Sequence, residues 1–201
     1  MFGAARRLHQ RASMDTKARI LGHPIHPMLV AIPIGMFVAT IGAELAHIGT
    51  LDPFYYRAAM VANITGVIAA LLAAIPGAID LFSLPRDSAA RRTGIKHAGL
   101  NVLTIVVFAV SAGFLYAGWS SRVMVRGQWN LDAHVPLLID AVGLVSLTIA
   151  GALGFAMVQT HHVGVKPAVL PPARVPAVEK EEHVVFEAPP AAGTAQPPLH
   201  H

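Results

Sequence analysis

Cysteine is absent from all 201 residues, which rules out disulfides, cysteine-ligated iron–sulfur clusters and thioether-bound haem within this chain. Charge is scarce as well. Asp, Glu, Lys and Arg make up 13% of the residues against 54% apolar ones, too little to cover a water-soluble domain of this size. No nucleophile–base arrangement and no phosphate-binding loop stands out, so independent catalytic activity is not expected. No short apolar stretch with a small-residue cleavage site follows the basic N-terminal flank, and the first apolar run reads as an uncleaved anchor. No internal inverted repeat is evident, which counts against an autonomous transporter.

What the chain does hold is four long apolar runs: Met28–Ile48, Ala58–Ile79, Ala98–Trp119 and Val135–Met157. Each is long enough for a helix to cross the roughly 30 Å hydrocarbon core at about 1.5 Å per residue. The expected fold is an all-α integral membrane protein, an antiparallel bundle of four transmembrane helices at about 28–48, 58–79, 98–119 and 135–157. Residues 1–21 form a basic lead-in and residues 22–165 the transmembrane domain. From 166 the composition turns to Pro, Ala and Val with Glu179-Lys180-Glu181-Glu182, a stretch that cannot bury enough apolar area to offset its ordering entropy. It reads as a disordered cytoplasmic tail to 201, with His200-His201 solvated.

Basic residues set the orientation. Of the 15 Lys and Arg, all but Arg57, Arg122 and Arg126 lie in the lead-in, in the loop between runs two and three, or in the tail. Positive residues stay inside, which predicts both termini in the cytoplasm of a bacterial inner membrane. The net charge of +4 is then accounted for by anionic lipid headgroups, and a nucleic-acid partner is not implied. Small residues recur at helix-packing intervals: Gly66, Ala70, Ala73, Gly77 on the second helix, Ala109, Gly113, Ala117 on the third, Gly151, Gly154 on the fourth, and Gly35, Gly42 on the first. Such stripes allow close backbone approach in lipid.

Threaded antiparallel, the chain returns polar groups to one face of the bundle: His23 and His26, then Asp80, then His97 with Asn101, then His161-His162. Both His23 and His26 precede a proline, which keeps them in extended backbone at the helix mouth, while Pro33 kinks the first helix. A rigid ligand clip and a pair of interfacial histidines are both open readings. Asp80, on the small-residue stripe, needs a partner at depth. The candidates are the histidines, a cap on the third helix, Arg86 or Lys96. Asn101 stands one turn from His97 and orients it. By its stripe His161 faces the bundle, with His162 only about 100° away around the helix, so the choice between the two stays open. A second group lies towards the opposite face: Glu44 and His47 on the first helix with His134 and Asp140 on the fourth. A single Glu-x-x-His copy is too few for a di-iron site, which needs two with two further carboxylates. A hydrogen-bonded link between helices one and four fits better.

Gly22-His23-Pro24-Ile25-His26-Pro27, Ile32-Pro33-Ile34-Gly35, Gly77-x-x-Asp80, His97-x-x-x-Asn101 and Gly151-x-x-Gly154 leading to His162-Val-Gly-Val together resemble a bacterial membrane family, domain of unknown function 2231, over about residues 20–165. The resemblance implies four inner-membrane helices without an assigned activity. It aligns His23, His26, Asp80, His97, Asn101 and His162, favouring His162 over His161. Some relatives carry a Rieske module, which implies electron-transfer neighbours. This chain lacks such a module, and Ala156-Met157-Val158-Gln159 replaces the family's acidic exit from the fourth helix.

Three functions compete. A transition metal ion or haem b held by His23, His26, His97, His161 or His162 with Asp80 would serve electron transfer or metal handling, with a redox partner protein. A scaffold or assembly subunit would use its histidines only to tie helix ends. A proton- or cation-translocating protein, acting as a homo-oligomer, would use the ionisable array as a relay. The topology is testable at once: reporter fusions at Phe54 and Gly127 should report the outside and fusions after Lys166 the inside, and protease cleavage at Gly127 in inside-out vesicles would overturn it.

Overall fold

The computed structural model describes residues 17–21 and 23–165; the rest of the lead-in, Gly22, the Pro-rich stretch from 166 and His200-His201 lie outside the described residues. Two short antiparallel strands, β1 (Arg19–Ile20) and β2 (His23–Pro24), lead into α1 (Ile25–Leu29) and α2 (Ala31–Thr50). Then come α3 (Pro53–Ser83), α4 (Ala89–Ser120), the strand pair β3 (Met124–Val125) and β4 (Gln128–Trp129), and α5 (His134–Gln159). With α1 and α2 taken as one span, four helices are long and apolar enough to cross a membrane. Large apolar side chains such as Phe82, Leu138 and Phe155 point outward, as lipid-facing residues must.

The helices overrun the apolar runs by up to nine residues because capping, not hydropathy, ends them. Asp52 accepts from the Phe54 amide with Pro53 at the first turn, and Ser88 accepts from the Arg91 amide. The first span begins at Ile25, so His26 is helical and not extended: Pro27 falls in the first turn, where an amide would have no partner in any case. The expected kink at Pro33 appears as a break at Val30, one turn upstream. Pro33 has no N–H for the Leu29 carbonyl, and its ring displaces that carbonyl.

The helices neighbour one another around a ring in which the first span touches α3 and α5, and α4 touches α3 and α5. The first span and α4 are therefore diagonal, as are α3 and α5. Only part of the small-residue expectation holds. Gly66 and Ala73 on α3 are buried, but Ala109, Gly113 and Ala117 on α4, Gly151 on α5, and Gly35 and Gly42 on α2 face outward. The α4 stripe that turns inward is His97, Asn101, Thr104, Phe108, Ser111 and Leu115, rotated away from the small residues. Phe108 and Ser111 on it are fully buried.

An internal repeat emerges from the contacts. His26 donates from Nδ1 to the Ala73 carbonyl (2.9 Å), and His97 does the same to the Ala150 carbonyl (2.8 Å). A Cβ on Gly77 would strike the His26 ring at 2.9 Å, and one on Gly154 would meet the His97 ring at 3.0 Å. Gly66 seats Phe37 and Gly143 seats Phe108 in the same manner. Residues of the first span recur 71 positions later in α4, and residues of α3 recur 77 positions later in α5. Equivalent residues meet across the diagonals: His26 with His97 (ring centroids 6.2 Å), Phe37 stacked on Phe108 (3.9 Å), and Asn63 with Asp140 (3.2 Å). The repeat is parallel, two helical hairpins about a twofold along the bundle axis, and not inverted.

The seated glycines should be intolerant. Gly143→Ala would place a Cβ 2.6 Å from the Phe108 ring, Gly66→Ala one 2.7 Å from Phe37, whereas Gly42 and Gly113 have nothing within 4 Å. Overpacking of this kind costs about 1–3 kcal/mol. Melting in detergent should fall for the first two substitutions and not for Gly42→Ala or Gly113→Ala.

Candidate functional site

The expected single cluster of histidines and a carboxylate divides into separate parts. Asp80 sits at the right face but accepts from the main-chain amides of Lys17 and Ala18, both at 2.9 Å. It thereby pins the segment ahead of β1 against the end of α3, a partner outside the set considered from the sequence. His23 is exposed and turns its Nδ1 towards the Leu21 carbonyl. His161 faces the bundle and meets Thr93 Oγ1 at 3.1 Å, while His162 is exposed with φ +53°. The helix has ended by then, so consecutive residues diverge, and the inward position is the one its stripe assigns. The resemblance-based choice of His162 does not match this geometry.

His26 and His97 do come together, on the axis. Each Nδ1 faces a main-chain carbonyl, which only accepts, so each ring carries its hydrogen there and keeps a lone pair on Nε2. Asn101 donates from Nδ2 to His97 Nε2 (3.2 Å) and to the His97 carbonyl (2.8 Å), the orienting role expected of it. Pro76, one turn beyond Ala73, opens the helical ladder of α3 beside this acceptor. Among the described residues, no three His, Asp or Glu side chains converge to hold a metal ion. Gly77 and Gly154 pack closely against the two rings, whose centroids are 6.2 Å apart.

The second group is more deeply built than the sequence suggested. Glu44, Asn63, Ser111 and Asp140 come from all four spans and are each 0% exposed. Asn63 donates from Nδ2 to Asp140 Oδ2 at 3.2 Å, and Glu44 lies beside Asp140. Both Glu44 oxygens and Asn63 Oδ1 have no hydrogen-bond partner, and the Ser111 hydroxyl lies beside Asp140. His47 is not bonded to Glu44; its ring nitrogens face the carbonyls of Asp52 (2.9 Å) and Leu131 (3.2 Å), and both bonds form only when both nitrogens carry hydrogen. His134 lies outside the group, exposed and paired with Asp132 (2.8 Å). Asn63 and Ser111 went unrecognised in the sequence; the 77-residue spacing of Asn63 and Asp140 was the available signal.

Tyr56, Met60, Leu115, Leu131 and Ala133 close the bundle between this group and the connecting loops, with Trp119 packed against them. Arg122 lies over the Trp119 ring, 4.0 Å from its centroid, and donates to the Trp119 carbonyl, fixing the loop after α4. Asp132 is held below the usual carboxylate range, first by the His134 amide and then by its ring. A depressed carboxyl stabilises the fold above its unfolded value, and that contribution is lost as pH falls through the folded one. Asp132→Asn should therefore flatten the acid limb of the stability profile without altering the plateau ordering of other variants.

No curated protein and no solved structure matches the chain. Residues 22–167 match the family described as predicted membrane protein (DUF2231), which covers every helix described above. The chain belongs to that family.

Proposed function

We propose that this membrane protein binds a positive charge, a proton or a small monovalent cation, between Glu44 and Asp140 inside its transmembrane bundle. The observation that carries the reading is the set of three unpartnered oxygens on two fully buried side chains, Glu44 and Asn63, gathered around a second carboxyl. Two carboxyls in contact away from water cannot both be ionised alone; a proton shared between them or a bound cation balances the charge. Every free group there is an oxygen, the donor type that suits a proton or a hard cation. A membrane-embedded ionisable pair is the ordinary mark of a binding or relay site.

A scaffold role explains the hydrogen bonds of Asp80 and His161 but leaves the unpartnered oxygens without a purpose. Electron transfer through a metal or haem has two axial imidazoles in its favour and lacks further donors beside them. The location proposed is the bacterial inner membrane with both termini in the cytoplasm, supported by the 12-to-3 distribution of Lys and Arg. In that orientation the His26–His97 pair lies towards the cytoplasm and the carboxyl pair towards the far side.

Infrared spectra of the protein in lipid should show the carbonyl band of a buried protonated carboxyl, or melting should rise with sodium or lithium at fixed pH. A ligand at one hundred times its Kd adds about 2.7 kcal/mol. Glu44→Gln and Asp140→Asn should each abolish the band or the cation response without lowering basal stability, since a buried carboxyl in need of a counter-charge is replaced by a neutral amide. A wild type with neither signal, destabilised by both substitutions, would make the pair a packing feature and sink the proposal.

A further inference from the structure

The carboxyl site is one of two polar compartments on the same axis. Facing stripes meet there: His26, Val30, Pro33, Phe37, Thr40, Glu44, His47 on the first span, and His97, Asn101, Thr104, Phe108, Ser111, Leu115 on α4. On one side of the phenylalanines the polar groups are His26 from the first span, His97, Asn101 and Thr104 from α4, and Ser146 from α5, the last bonded to the Leu100 carbonyl (3.0 Å). On the other side they come mainly from the first span: Thr40, Glu44 and His47, with Ser111, Asn63 and Asp140. Between them the Phe37 and Phe108 rings, 1% and 0% exposed, stack at 3.9 Å with planes 16° apart. At about 1.5 Å per residue the histidine pair lies about 16 Å from the stack and Glu44 about 10 Å on the far side.

We propose that the bundle axis is a gated proton path, with the His26–His97 pair as a second proton site and the Phe37–Phe108 stack as the barrier between it and the Glu44–Asp140 pair; this rests on the reading of the carboxyl pair given above. The imidazole lone pair kept on His26 Nε2 accepts a proton, and the carboxyl pair accepts one from the opposite compartment. Transfer between them moves one proton and no other atom, leaving the imidazole neutral as a carboxyl is protonated, or the reverse. A proton is the cargo the geometry suits. It passes along hydroxyl, amide and water oxygens without a bore, whereas Gly66 and Gly143 hold the ring edges too tightly for a hydrated ion. Rotation of either ring off its glycine opens the stack, so the barrier is a movable side-chain pair and not a continuous apolar wall.

The test uses the full chain in liposomes loaded with a pH dye, with a potassium diffusion potential as driving force. Wild type should conduct slowly. Phe37→Ala/Phe108→Ala, and the milder Phe37→Leu/Phe108→Leu, should raise the proton rate, the first by tenfold or more. Adding Glu44→Gln or His26→Gln to either background should return the rate to the wild-type level, and sodium in place of the proton gradient should drive no flux. Faster flux that survives Glu44→Gln would be a leak around the site and would overturn the proposal. So would an unchanged rate in the Leu pair when its elution and helicity match wild type. If that Leu pair still shows the buried carboxyl band, the gate alone has failed; if wild type shows neither the band nor a cation response, the carboxyl site has failed with it.

Discussion

How closely the two hairpins approach at Phe37 and Phe108 governs the rest of the bundle. A stacked pair of rings on the axis fixes the separation of the first span from α4, and that separation decides which other side chains can meet. The rings reach the axis only because Gly66 and Gly143 offer no Cβ to obstruct them. In lipid, where apolar side chains gain little by leaving their surroundings, such close packing supplies the attraction that water would otherwise provide. The His26–His97 and Asn63–Asp140 contacts are at hand on either side of it, set by the same twofold.

The repeat also shows how a site arises by departing from symmetry. Where the hairpins stay alike, at His26 and His97, Phe37 and Phe108, Gly66 and Gly143, they make structural contacts of the same kind. Where they differ, the polar groups become unequal. Asn63 stands opposite Asp140, Thr40 opposite Ser111, and Glu44 corresponds to Leu115, so one half supplies a carboxyl where the other supplies a methyl-bearing wall. A perfectly symmetric axis would have placed two glutamates face to face with nothing to balance them.

The four spans were legible in the sequence because lipid imposes a length and a composition, and the depth of each polar group followed from antiparallel threading. Azimuth was not. The choice between His161 and His162 stayed open, with the stripe and the resemblance pointing to different residues, and the α4 stripe of Ala109, Gly113 and Ala117 pointed the wrong way, since in a helix surrounded by hydrocarbon small residues can face lipid as easily as protein. Asp80 was rightly expected to need a partner at the membrane face. Its partner is main chain, however, and a carboxylate that accepts from two amides leaves no trace in the residue types around it. The Glu44–Asp140 pairing was read in outline, while Asn63 and Ser111 became visible only once the diagonal contacts showed which faces turn inward.

Each axial histidine bonds to a carbonyl of its own hairpin, and this bears on how the chain enters the membrane. A hairpin leaving the insertion machinery already has its imidazole satisfied, His26 by Ala73 in the first and His97 by Ala150 in the second. The groups that cannot be satisfied in this way, Asn63 in the first hairpin and Asp140 in the second, face each other across the diagonal. Asn63 and Asp140 are bonded to each other only once both hairpins are in place. The contact between Asn63 and Asp140 thus ties the register of the two halves to the buried carboxyls beside it.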